Sequence, residues 1–248
     1  MRTLSSRLIA AVVILSFAQA ASAQTADEII EKSIAAIGGR PAHAKLKSRA
    51  TVGTILLGTP AGEIPGTIEV LNAAPNKLRT LIKADLTSLG AGQLVIDQRF
   101  NGTEGYVLDS LQGNREVTGN QLANMKNGSF PHPFLDYKEQ GTTIALSGKE
   151  KVGDREAIVV TFTPKGGSPV RQFIDATTFM PIQMIVKVEV PQMGELEQTT
   201  EFLDYKEVDG IKIPFRLKAS SSIQSFTVSL TSVQHNVEVD DTLFSRPK

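Results

Sequence analysis

The chain contains no cysteine and no tryptophan, and only 6% of its residues are aromatic. Without cysteine there is no disulfide, no thiolate nucleophile, no thiolate metal site and no residue to carry a lipoprotein's acyl anchor. An excess of either charge is also missing, since 26 lysines and arginines face 26 acids. A balanced chain has no electrostatic footprint for nucleic acid or for an anionic membrane surface, so neither is an expected partner. Beyond the N-terminus no run approaches the roughly 18 apolar residues of a membrane helix. An outer-membrane barrel also fits poorly, because the ending "FSRPK" lacks a terminal aromatic and aromatic girdles are absent.

The first residues, "MRTLSSRLIAAVVILSFAQAASAQ", carry a basic start at Arg2 and Arg7, an apolar run from Leu8 to Ala18, and Ala21 and Ala23 in an A-x-A pattern. This is the layout of a secretory signal peptide, so residues 1–23 are expected to be removed. The expectation for residues 24–248 is one soluble, exported domain in the periplasm, monomeric and without a lipid anchor. With no disulfide, its core alone must hold it, and 41% hydrophobic residues make that feasible.

The segment "TADEIIEKSIAAIGG" predicts an amphipathic helix. Thr25 and Glu28 fit a capping box, Ile30, Ile34 and Ile37 share a face, and Gly38 with Gly39 stops the helix. Pro41 is placed to open a second short helix running to about Lys47. From "SRATVGTILLG" onward the period drops to two. Leu78, Thr80 and Ile82 alternate with charged residues, and Ile182, Met184, Val186, Val188 and Val190 are expected on one face. Ile211, Ile213, Phe215 and Leu217 form another such row, as do Phe226, Val228 and Leu230. Turn signals such as "FNGTEG", "KVGDRE" and "EVDGIKI" separate these runs. The pattern predicts about ten or more antiparallel strands, each with one wet and one apolar face.

One interruption, "VTGNQLANMKNGSFPHPFLDYKEQG", loses that period and allows a helical turn or two over Gln121–Lys126. The expected fold is therefore mainly β: one large, strongly curved antiparallel sheet, a closed or an unclosed barrel, with the N-terminal helix and this insertion plugging its concave face. Pro214 suggests a strand at an edge or bulge. The hexapeptide "FLDYKE" occurs at 134–139 and again at 202–207. Its flanks do not align, which argues against an internal repeat.

Catalytic chemistry has little foothold. His43, His132 and His235 are far apart in sequence and lack metal-motif spacing, which predicts surface or loop histidines. There is no G-x-S-x-G elbow, the "GAGQ" stretch lacks the lysine and helix of a phosphate loop, and adjacent Asp240 and Asp241 make a poor acid–base pair. No metal, no cofactor and no enzymatic activity are expected. What remains is an apolar concavity, read as either a ligand cavity or a filled core. Its lining would be Ile68, Val70, Leu78, Ile82, Met184, Val186, Val188, Phe215, Leu217, Phe226 and Val228, covered by Ile30, Ile34, Ile37, Leu122 and Met125.

Several strings in this order resemble the LolA/LolB-like family of periplasmic outer-membrane lipoprotein-sorting proteins. They are "IAAIGG", "GTIEVLNAAPNKLRTLI", "FNGTEGYVLDS", "GDREAIVVTFTP", "RQFIDATTFMPIQM", "FLDYKEVDGIKIPFRL" and "VEVDDTLFSRP", and together they span nearly all of the chain after the leader. The resemblance implies a half-barrel carrier that shields a lipid or lipoprotein acyl chains, with inner- or outer-membrane envelope proteins as partners. In the family's carrier an arginine before the proline of the strand motif bonds to the lid helices. Here the residue before Pro75 is Ala74, so that latch is missing or relocated, with Arg79 as a substitute. The alternative is an envelope interaction module with a filled core and no ligand.

Overall fold

A computed structural model describes residues 24–59, 62–128, 130–190 and 194–246. The signal peptide and its cleavage site lie outside the described residues. The N-terminal helix, α1 (Ala26–Ala36), starts as the sequence requires. Glu28 N–H donates to the Thr25 hydroxyl at 3.2 Å, and Thr25 N–H donates to the Glu28 carboxylate at 3.1 Å. Each bond satisfies a backbone or side-chain group that would otherwise be left without a partner at a helix start. A second helix, α2 (Gly39–His43), ends before the predicted Lys47. The chain turns there because Ser48 already enters the first strand.

All the strands belong to one antiparallel sheet. They are β1 (Ser48–Thr59), β2 (Gly62–Ala73), β3 (Lys77–Asp85), β4 (Gln93–Phe100), β5 (Gly105–Asp109) and β6 (Arg115–Val117). After helix α3 (Gly119–Asn127) come β7 (Thr143–Val152), β8 (Arg155–Thr163), β9 (Val170–Asp175), β10 (Pro181–Val190), β11 (Gly194–Val208), β12 (Ile211–Ser220) and β13 (Ser225–His235). The order across the sheet is β6-β5-β4-β3-β2-β1-β13-β12-β11-β10-β9-β8-β7. The two edges, β6 and β7, are neighbours in sequence but do not pair, so the barrel is open along one seam. The chain segment that crosses the seam contains α3. The edge strand β7 is exposed along most of its length and carries Lys149, Glu150 and Lys151, charges that discourage another chain from adding to the edge.

Cross-strand register assigns the concave face. Ile55, Ile68 and Val228, with Leu57, Val70, Ile82, Leu217 and Phe226, fill one part of it. Another cluster joins α1 to the far side of the sheet, where Ile29, Ile30 and Ile34 pack on Ile158, Val160, Phe162 and Ile174. The prediction for β10 fails at its first residue. A register shift between Pro181 and Gln183 sends Ile182 to the convex face, where it is 1% exposed beside Ala157, Val159 and Phe173. A bulge adds one residue and so inverts every side chain before it. Pro214 is not on an edge strand either. It faces Tyr205 of β11, and on its other side the β12–β13 pairing begins only at Arg216. The missing proline donor therefore costs no ladder bond.

The two FLDYKE copies adopt different structures. The first is a series of turns that buries Phe134, Leu135 and Tyr137 against α1, and the second is part of β11. The α1 terminus docks on the β11–β12 hairpin, where Lys212 N–H donates to Ile37 O at 3.0 Å. Gly38 makes this approach possible: its φ is +122°, and a Cβ would lie 2.4 Å from Gly210 O. Gly38→Ala is therefore expected to cost about 1–3 kcal/mol of stability. Equilibrium urea unfolding checks this, and an unchanged midpoint refutes it.

Candidate functional site

The concave face is not filled throughout. Between α3 and the sheet lies a cavity of 540 Å³ whose walls include Leu78, Gln98, Met125, Met184, Val186 and Val188. These come from α3, from the neighbouring strands β3 and β4, and from β10, which stands far from them in the sheet order, so the sheet curls until distant strands face one space. A second compartment of 280 Å³ adjoins it, walled by Phe134, Tyr137, Phe162 and Val170. Asn124, Gly128, Met184 and Val186 border both. Alternation along β10 explains the shared wall, because Met184, Val186 and Val188 follow the bulge and all face inward. Apolar walls with a few polar groups, at volumes near 300–1,000 Å³, are typical of small-molecule sites.

Helix α3 forms the roof and is held by its polar residues. Ser168 N–H donates to Asn124 Oδ1 at 2.8 Å, and Asn127 Nδ2 donates to Gly166 O at 2.7 Å. At the start of α3, Arg115 donates to Gln121 Oε1 at 2.9 Å. The loop after α3 is tied to the β2–β3 turn by Phe130 N–H donating to Pro75 O at 2.8 Å. Arg79 is not a substitute latch. It lies on the convex face and pairs with Asp97, because odd positions of β3 point away from the cavity.

Among the described residues, the predicted lining residues divide by place. Leu78, Met184, Val186 and Val188 border the larger cavity, as does Met125 of the predicted lid. Ile68, Val70, Ile82, Leu217, Phe226 and Val228 are packed into the filled cluster, since side chains of a narrow barrel pack against one another in its middle. Phe215 packs near Leu46, Phe130, Ile211 and Ile213, with the Lys206 ammonium 4.5 Å over its ring. Ile30, Ile34 and Ile37 are 0–2% exposed; Ile30 and Ile34 plug a different part of the sheet. Leu122 faces a separate hollow beside Phe244.

The backbone frame is that of known half-barrels. A DUF1329 family protein from Desulfovibrio piger superposes with a TM-score of 0.56 at 11% identity, over 88% of this chain and 95% of that one. A LolA superfamily protein from Nitrosomonas europaea gives 0.57 at 14% identity, over 90% and 99%. The fold is LolA-like. A domain from Vibrio parahaemolyticus named for outer membrane lipoprotein sorting gives 0.53 at 11% identity, over 88% and 95%. No family model matches the sequence, and no curated protein matches it either. Among the described residues of this LolA-like half-barrel, no helix is long and apolar enough to cross a membrane.

His132 lies in a loop, within the expectation of surface or loop histidines. The three are nevertheless not isolated: they converge where α2, the loop after α3 and the end of β13 meet. His43 is 1% exposed, and its ring centre lies 6.1 Å from that of His132. Arg49 Nε donates to His235 Nε2 at 3.2 Å, and His235 Nδ1–H donates to Asp209 Oδ2 at 2.9 Å. The hydrogen bonds fix the tautomer at both His235 nitrogens. Burial lowers the Arg49 guanidinium to about 10, and its cation also lies 5.3 Å from the centre of the Phe130 ring. His132 Nδ1 accepts the Phe134 N–H at 3.2 Å. Burial, with the neighbouring His43 and Arg49, lowers His132 to about 3. Among the described residues no group of His, Cys, Asp and Glu is placed to hold a metal ion, this one included. The relay from Asp209 to Arg49 braces the sheet where β12 and β13 separate.

Proposed function

We propose that this protein is a periplasmic carrier or binding protein for a lipid, an acyl chain or another hydrophobic ligand, held without catalysis in the paired compartments beneath α3. The observation that carries this reading is the shared wall of Met184 and Val186, with unfilled space on both sides. Each methylene moved from water into such a space contributes about 0.8 kcal/mol, so a short length of acyl chain is enough for capture. The LolA-like frame and the signal-peptide pattern fit a shuttle between envelope membranes, with envelope proteins as donor and acceptor. Release then depends on a partner that shifts the position of α3, since nothing in the cavity breaks a bond.

The protein purified without detergent is expected to contain lipid detectable by mass spectrometry of an organic extract, and to take up an apolar fluorescent probe. Met184→Asp places a carboxylate in the shared wall and is expected to weaken probe uptake at least tenfold, as desolvating a charge requires. Leu217→Met, in the filled cluster, is the control and should bind normally. No extracted lipid together with no probe uptake would exclude a carrier and favour an envelope interaction module, a role in which the filled half of the concave face acts only as a core.

A further inference from the structure

The larger cavity is apolar on its floor, but much of its wall is carboxamide. Asn72, Asn76, Gln98, Gln121, Asn124 and Gln198 all border it. Side chains of this kind in a space that only had to exclude water would be a poor choice, since each amide loses hydration on burial unless it finds a partner. Some of the six are committed within the protein, Gln121 to Arg115 and Asn124 to Ser168. Others are not. Among the described residues Asn72, Asn76 and Gln198 make no side-chain hydrogen bond, and Gln98 has only a 3.6 Å contact from Nε2 to Met125 Sδ.

The charges around the cavity are as informative as the amides. Among the described residues Lys77 is the only cationic one along the wall, and its ammonium is held by Asp241 Oδ2 at 2.7 Å on the convex side. Glu189 borders the cavity at an exposed position and has no cationic partner within the described residues. Arg49, a half-buried cation, is bound to His235 and shielded by the Phe130 ring. A phosphate or carboxylate entering this space would therefore meet a carboxylate and no available cation.

We infer that the larger compartment receives the head of an amphiphile whose head is uncharged and rich in hydrogen-bonding groups, while the smaller, aromatic-walled compartment receives its chain. Carboxamides donate and accept at once, which suits hydroxyl or amide groups that do the same. Anionic phospholipids are disfavoured by Glu189 and by desolvation of the phosphate. The inference rests on the carrier reading and adds the class of head that the site selects.

The test is competition against a bound apolar fluorescent probe with ligands of one chain length. These are an alkyl glucoside for hydroxyl heads, an N-acyl glycinamide for amide heads, lysophosphatidylglycerol for anionic heads, and the parent alkane alcohol. At least one uncharged head should bind roughly tenfold or more tightly than the anionic one, equivalent to about one net hydrogen bond. The glucoside and glycinamide arms tell a sugar from an amide source. Gln98→Met and Gln198→Met together should remove that advantage, bringing the uncharged heads down to the affinity of the anionic one. Equal or tighter binding of lysophosphatidylglycerol overturns the head-group inference while leaving the carrier reading intact. If no ligand competes and the probe itself does not bind, both fail.

Discussion

Asp97→Ala is expected to destabilise the protein by about 3–5 kcal/mol, the usual result of removing one member of a buried ionic group. Asp97 is 5% exposed and accepts two bonds from each of two arginines: Arg79 at 2.9 and 2.8 Å, and Arg99 at 3.1 and 2.7 Å. Burial by itself would raise the Asp97 carboxyl, but these guanidinium bonds outweigh it and hold the group below the usual carboxylate range. Without the carboxylate, two partly buried cations would face each other across the directly paired positions Arg79 and Arg99. The damage would spread to the C-terminal turn over Asp241–Phe244, because Arg99 also donates to Ser245 O at 3.2 Å. Phe244 beside it is 1% exposed. Denaturant titration at constant slope measures the change, and a loss below about 1 kcal/mol would reduce the triad to a surface ion pair.

Acidification from pH 6.5 to 5 is expected to cost roughly 1–2 kcal/mol through His132 alone, because the unfolded imidazole goes from half to almost fully protonated while the folded one stays neutral. The folded value of about 3 lies below the unfolded value of about 6.5. The unfolded chain therefore holds half an extra proton at pH 6.5 and nearly a whole one at pH 5, and stability falls as pH falls. Geometry gives the same sign. A proton on His132 Nδ1 would point at the Phe134 N–H that this nitrogen now accepts, with His43 and Arg49 facing the ring. His43 is lowered as well, chiefly by burial, and acts in the same direction. His132→Asn keeps an acceptor for Phe134 and removes the titration, so its stability should vary less with pH, by about one proton. Identical pH slopes for the two proteins would refute this.

How much of this was readable in advance depended on the range of the interaction. The capping box of α1 and the two-residue period follow from local rules, and the sequence displays them directly. The division of the concave face did not, because the same alternating aliphatic pattern serves both the filled cluster around Ile55 and the open wall at Met184. Whether a side chain meets another or meets space depends on strands far apart in the chain. The bulge before Gln183 has no strong residue signal and reversed the face of Ile182. The histidines were missed for a similar reason: residues 43, 132 and 235 approach only after the sheet has formed. The amide wall was visible as letters, in "LNAAPN" and "QLANMKN", but polar residues near turns are usually solvated.

The seam between β6 and β7 also separates two kinds of inheritance. Among the described residues of 118–142 none takes part in strand pairing, yet this stretch supplies the roof of one compartment and an aromatic wall of the other. Insertions or deletions within it can change the size and lining of the hold while every hydrogen-bonded ladder keeps its register. Such a frame can be refitted for different cargo by editing one connection, with the rest of the sequence free to drift as long as it still makes the same curved sheet.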